Sequence, residues 1–166
     1  MVERSLVEVQ TQTEMTGHIY KTPSVTVDAI VTRNKPDGSA GNDILLITRA
    51  RPPFEGHYAF PGGFIDYGEA PEDACVRELQ EECSVEGYQP ELICVAGKPD
   101  RDPRKHVISM VYAVQIDAGA NVAAADDAAT AKWYDLQTVW NDFDFAFDHK
   151  DILAQFLQKK FPDVLA

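Results

Sequence analysis

Positive charge is scarce in this chain. Fifteen lysines and arginines face 27 aspartates and glutamates, a formal net charge of −12 over 166 residues. Nucleic acids and anionic membrane surfaces both want a basic footprint, so neither is expected as a partner. An anionic substrate would have to be met by local cations or by a metal, because the overall field repels it. Long apolar runs are missing too, and no stretch approaches the roughly 20 residues that span a bilayer. The opening residues, MVERSLVEVQTQTEM, have neither a basic n-region nor an apolar core, so no secretory signal is expected. Cysteine is limited to Cys75, Cys83 and Cys94, an odd number that cannot all pair internally. Reduced, buried thiols in a cytoplasmic protein are the expectation. There is no internal repeat and no linker that would split the chain, and the length suits one domain with a proper core.

What is present reads as strands mixed with two principal helices. Residues 1–16 are polar and expected to be loose or exchanged with a partner, leaving 17–166 as the domain. SVTVDAIVTR (24–33) is rich in β-branched residues and reads as one strand, and the apolar run at 43–48 as another. Residues 34–42 and 49–58 hold proline and glycine and read as loops. Two further strands are expected at 89–97 and 106–116, with a short one at 132–134. The alanine-rich stretch 118–131 reads as a loop. Helices are expected from Pro71, where proline suits the first position and Glu72 and Asp73 complement the dipole, and over 146–161. A sheet core flanked by helices follows.

The chemistry concentrates between Gly63 and Val85, GFIDYGEAPEDACVRELQEECSV. On a helix, Glu78, Glu81 and Glu82 stand at i, i+3 and i+4 and share one face. Three carboxylates with only Arg77 beside them repel one another, and a hard divalent cation with oxygen ligands would relieve that. The opposite face, Cys75, Val76, Leu79 and Cys83, is apolar and suited to burial.

The spacing of Gly63, Glu69, Arg77, Glu78, Leu79, Glu81 and Glu82, with Val85 at its end, resembles the signature box of the Nudix hydrolases, which cleave nucleoside diphosphates linked to another moiety. The resemblance implies an α/β fold, an α/β/α sandwich with a mixed sheet flanked by helices. It also implies metal-dependent diphosphate hydrolysis with Mg²⁺, or Mn²⁺, as cofactor. Ser84 stands where the box has glycine, at a helix end that often requires positive φ. Glu78 and Glu82 are the first metal ligands this implies, with Glu81 next and a backbone carbonyl from Gly62 or Gly63. Arg77 would fix the carboxylates. Glu69 would either join the metal site or hold the loop. The general base differs within the family, so Glu81 or a late acid such as Asp127, beside Asp126, is expected; the late pair could equally just solvate its loop.

Residues 99–112 and 49–64 resemble the ADP-ribose pyrophosphatase branch, which implies ADP-ribose as substrate and AMP and ribose 5-phosphate as products. Arg101 and Arg104 could grip phosphate, or pair internally with Asp100 and Asp102. Phe54 or Tyr58 could stack on the base. Phe145 to Lys150 also resembles this branch, and it reads as helix-start packing with Asp148 near the cap. A homodimer is implied as well. Other Nudix substrates, or an ADP-ribose sensor without turnover, are the competing readings.

Overall fold

The computed structural model describes residues 21–126 and 128–165. Strands β1 (Ser24–Ile30), β2 (Thr32–Asn34), β3 (Asn42–Arg49), β4 (Tyr58–Ala59) and β5 (Gly62–Phe64) precede helix α1 (Pro71–Cys83). Then come β6 (Gly87–Ala96), β7 (Val107–Ile116), β8 (Ala128–Asp135), α2 (Leu136–Asp142) and α3 (His149–Lys160), with a short 3₁₀ turn at Pro162–Leu165.

Two sheets form. One is mixed, in the order β5-β1-β7-β6, with β1 and β7 parallel and the other pairs antiparallel. In the other, β3 is central, with β8 on one edge and β2 and β4 sharing the opposite edge, all antiparallel. Alternation along the strands divides the core in two. Val27 and Ala29 of β1, with Leu45 and Ile47 of β3, pack with Ala74, Cys75, Leu79 and Cys83 of α1. Ile30, Ile44 and Leu46 point the other way, onto Val139 of α2 and Ile152, Leu153 and Phe156 of α3. Strands buried on both faces read as continuous apolar runs, and that explains the sequence at 43–48. The result is the expected sandwich, with helices on both sides.

Several boundaries differ from the sequence expectations, each for a tertiary reason. The single strand expected at 24–33 is broken at Val31, where the chain leaves one sheet for the other and the Val31 carbonyl accepts the Leu45 N–H at 2.9 Å. The alanine-rich loop expected to reach Ala131 becomes β8 from Ala128 onward. Ala128 and Ala131 are buried against the core, and pairing with β3 outweighs alanine's weak strand preference. Helix α2 was not expected; at seven residues it is too short to show a period, although Asp135 caps it by accepting the Thr138 N–H at 2.9 Å. Helix α3 starts at His149 rather than 146, because Phe147 adopts φ 53. Asp148 occupies the N-cap position but makes no side-chain cap there; its carboxylate is taken by Arg101. Among the described residues no helix is long and apolar enough to cross a membrane.

Candidate active site

Pairing between β1 and β5 brings the Pro61–Gly63 turn against α1. The close approach is what requires glycine there. A β-carbon on Gly63 would overlap the Glu78 carboxylate, and one on Gly62 would overlap the Val27 carbonyl and sit 2.9 Å from Asp28 Oδ1. The Gly62 N–H donates to Glu82 Oε2 at 2.8 Å, tying the turn to the helix. Glu82 is 4% exposed, so this acid belongs to the floor of the site and not to solvent.

Arg77 organises the other acids. Its Nε and Nη2 donate to the two oxygens of Glu69 at 2.7 and 2.9 Å. Nη1 donates to Glu78 at 2.8 Å and to Glu81 at 3.1 Å, and Nη2 reaches the Phe64 carbonyl at 3.1 Å. Glu69 also accepts the Asp66 N–H at 2.9 Å, so it pins both the turn and the arginine. The Arg77 hydrogen bonds, with help from the Asp66 amide, hold the Glu69 carboxyl down to about 2. In this structure both Glu69 oxygens are bonded to Arg77 and one also to the loop at Asp66.

Helix α1 ends as the box predicts, but with serine. Ser84 takes φ 60 and ψ 28, the left-handed conformation, while its N–H bonds the Gln80 carbonyl. Beyond it, the Ala123 and Ala125 amides donate to the Cys83 and Glu82 carbonyls at 3.0 and 3.1 Å. These bonds fold the alanine-rich loop over the helix end and bring Asp126 to the cleft wall. Asp127 lies outside the described residues. The thiols of Cys75 and Cys83, on the buried face of α1, are pushed up to about 12 chiefly by burial, so they are inert packing groups.

The cleft over these acids has a volume of about 360 Å³. Gly62, Gly63, Arg77, Glu78, Glu81 and Glu82 line it, so the structure brings the box acids and the glycine turn to one place. Arg101 and Arg104 line it as well, yet both are engaged. Arg101 is clamped by Asp148, with Nη2 at 2.6 Å and Nε at 2.9 Å, and its side chain is 4% exposed. Arg104 is forked onto Asp102 at 3.0 and 2.7 Å but is 44% exposed, so its outer edge reaches solvent.

The two aromatics expected to stack on a base do not line the cleft. Tyr58 stacks on Phe143 at 4.1 Å and meets Tyr134 edge-on, packed on the core between the second sheet and α3. Phe54 packs edge-on against Phe147 at 4.9 Å. It is Phe147 that lines the cleft, with the Arg49 guanidinium 5.0 Å above its ring. Asp28 and His149 also line the cleft and were not singled out as site residues. The only signal for Phe147 and His149 was the 145–150 segment.

Among the described residues no three His, Cys, Asp or Glu side chains converge closely enough to hold a metal as they stand, since Arg77 lies among the acids. The donor set nevertheless suits a hard cation: Glu78, Glu81 and Glu82 with backbone carbonyls of a side-chain-free turn, all oxygen.

Comparison with known proteins accords with this geometry. The NUDIX domain family model matches residues 22–156. The chain is 39% identical over 142 residues to the ADP-ribose pyrophosphatase of Methanocaldococcus jannaschii, covering 86% of this chain and 78% of that protein. The NUDIX domain of Shewanella oneidensis NrtR, solved with ADP ribose, superposes with a TM-score of 0.76 at 26% identity, covering 90% of this chain and 97% of that one. A bifunctional NMN adenylyltransferase/ADP ribose pyrophosphatase from Francisella tularensis, solved with AMP and a Mn ion, gives a TM-score of 0.70 at 27% identity over 95% of this chain and 48% of that one. The chain belongs to the Nudix family and is a Nudix pyrophosphohydrolase. Nudix hydrolases generally use divalent metal ions.

Proposed function

We propose that this protein hydrolyses the diphosphate bond of ADP-ribose, giving AMP and ribose 5-phosphate, with Mg²⁺ as the working cation and Mn²⁺ as a substitute. The observation that carries the reading is the cleft itself, where a box of acids fastened to a glycine turn faces Arg104 and Phe147. Similarity to an ADP-ribose pyrophosphatase over most of both chains supports the substrate. Glu78 and Glu82, then Glu81, with a carbonyl of Gly62 or Gly63, would hold the cation. When bound, such a cation neutralises charge on the phosphoryl oxygens and acidifies a water.

The residues of the chain supply the rest. Glu69 and Arg77 act as a brace that fixes Glu78 and Glu81. Glu81, whose side chain is 46% exposed at the cleft, takes the proton of the attacking water; Asp127→Asn with an unchanged kcat would exclude the late acid from that step. The water oxygen bonds to phosphorus as the bond from phosphorus to the bridging oxygen breaks. Arg104 binds a substrate phosphate through its exposed edge. The active form is a homodimer; β6, at a sheet edge, exposes Tyr88, Leu92 and Val95. Light scattering of the purified chain at monomer mass would reject the dimer.

A nucleotide panel with Mg²⁺, scored by product identity and kcat/KM, tests the substrate. ADP-ribose should rank first, and preference for a nucleoside triphosphate would overturn the substrate while leaving the family chemistry. Glu82→Gln should fold and lose at least about two orders of magnitude in kcat, because a charge meant to hold a cation is gone. Glu86→Gln, exposed beyond the box, should stay near wild type. Equal rates for the two variants would sink the metal assignment.

A further inference from the structure

His149 opens α3 and lines the cleft, with one ring nitrogen bonded to the residue before the Pro61–Gly63 turn and the other facing Asp28 of β1. Its Nδ1 accepts the Phe60 N–H at 3.2 Å, so that nitrogen carries no proton and the neutral ring bears its proton on Nε2. Nε2 lies 3.5 Å from Asp28 Oδ1. The other Asp28 oxygen accepts the Ser109 hydroxyl, which orients the carboxylate. Asp28 Oδ1 in turn abuts Gly62, standing 2.9 Å from where a β-carbon would be. The ring itself stacks on Phe60, with centroids 4.9 Å apart and planes at 16°. His149, Asp28 and Ser109 are all buried. One imidazole thus holds the Phe60 backbone, and its Nε2 faces the Asp28 carboxylate that lies beside Gly62. The Gly62 N–H then holds Glu82 Oε2 at 2.8 Å.

We propose that His149 is a positioning residue for the Glu82 carboxylate, acting through the Phe60–Gly62 backbone and through Asp28 and not on the substrate. The ring is 3% exposed, its Nδ1 accepts the Phe60 N–H and its Nε2 faces Asp28, so it is placed to hold the turn. What it supplies is a fixed distance between α3 and the turn, so that Glu82 meets a cation without first having to be ordered. This rests on the reading that Glu82 holds a metal.

The test reads metal binding directly, on folded protein without nucleotide. Mn²⁺ is titrated into wild type, His149→Phe, His149→Asn and His149→Gln and followed by electron paramagnetic resonance, alongside kcat, KM and the denaturation midpoint. Phenylalanine keeps the stack on Phe60 but loses both nitrogens. Asparagine places an acceptor where Nδ1 stands, and glutamine places a donor where Nε2 stands. His149→Phe should bind Mn²⁺ about tenfold more weakly, within the range seen when the residues that orient metal ligands are lost. Its kcat should fall by a similar factor, while KM for ADP-ribose changes by less than about threefold. His149→Asn should recover most of the Mn²⁺ affinity, since it restores the bond to Phe60. Wild-type Mn²⁺ affinity and kcat in His149→Phe, whatever its stability, would show that the ring only fills space and would overturn the proposal. If His149→Phe does not fold, the ordering of Asn above Gln in Mn²⁺ affinity supports the proposal, and equal affinities overturn it. Wild type that binds no Mn²⁺ would instead overturn the metal reading beneath it. A wrong nucleotide would leave the Mn²⁺ titration unchanged.

Discussion

At the scale of single residues, Arg77 makes the acidic helix tolerable. Glu69, Glu78 and Glu81 all accept from its guanidinium, so the repulsion implicit in their spacing is answered from within the fold. A lysine could not do this, since one ammonium cannot fork onto Glu69 while reaching two other acids and a carbonyl. Ser84 is the second informative residue. Its backbone sits at φ 60, where an L-residue with a β-carbon is held at a cost of about 1 kcal/mol and glycine is not. Ser84→Gly should therefore raise stability by roughly 0.5–1 kcal/mol, read from the denaturant midpoint, with kcat unaltered. A lower midpoint would mean that the serine side chain makes a compensating contact.

Among the elements, the box helix and the terminal helix hold the cleft from opposite sides. Helix α1 offers acids to the cleft and cysteines and Leu79 to the core. The start of α3 is fastened by Arg101, which reaches from the β6–β7 loop to Asp148. The sequence made Arg101 a candidate for gripping phosphate. Its 4% exposed side chain and bidentate partner make it first a clamp for this joint. Arg101→Ala would leave Asp148 beside an empty buried site, and losing one partner of a buried pair typically costs about 3 kcal/mol. The denaturation midpoint should fall accordingly. Arg104→Ala, at the open edge, should instead raise KM more than it lowers kcat. Equal stability for the two variants would show that the Arg101–Asp148 joint carries little.

For the whole molecule, the excess of acid sets the response to pH. The Lys35 hydrogen bond and salt bridge hold the Asp135 carboxyl down to about 2, as Arg77 does for Glu69. Both groups bind protons more weakly folded than unfolded. Their contribution is complete above the ordinary values of 3.8 and 4.5 and is lost as pH falls through about 2. Stability should therefore decline between about pH 4.5 and 2, and the double variant Glu69→Gln, Asp135→Asn should flatten that decline. Urea midpoints measured across this range check it. A slope unchanged in the double variant would place the acid sensitivity elsewhere.

The sequence by itself determined the helix that bears Glu78, Glu81 and Glu82, its start at Pro71, its left-handed end at Ser84 and the glycine turn it needs. The helical spacing and the proline at the first turn are local and can be read from neighbours along the chain, whereas the left-handed end at Ser84 was implied by the resemblance to the Nudix box, which has glycine there. The mix of strands with two principal helices also implied a sheet core flanked by helices, and the resemblance to the Nudix box implied the sandwich. Tertiary structure decided the rest. The break at Val31, the start of β8 at Ala128 and the placing of Phe147 rather than Tyr58 in the cleft depend on which strands pair and which side chains fill the space between layers. The fate of the arginines was decided in the same way. Arg101 meets Asp148, and His149 meets Phe60 and Asp28, across separations of 47, 89 and 121 positions. No periodicity carries information over such a span, since only the packed sheet brings those groups within reach.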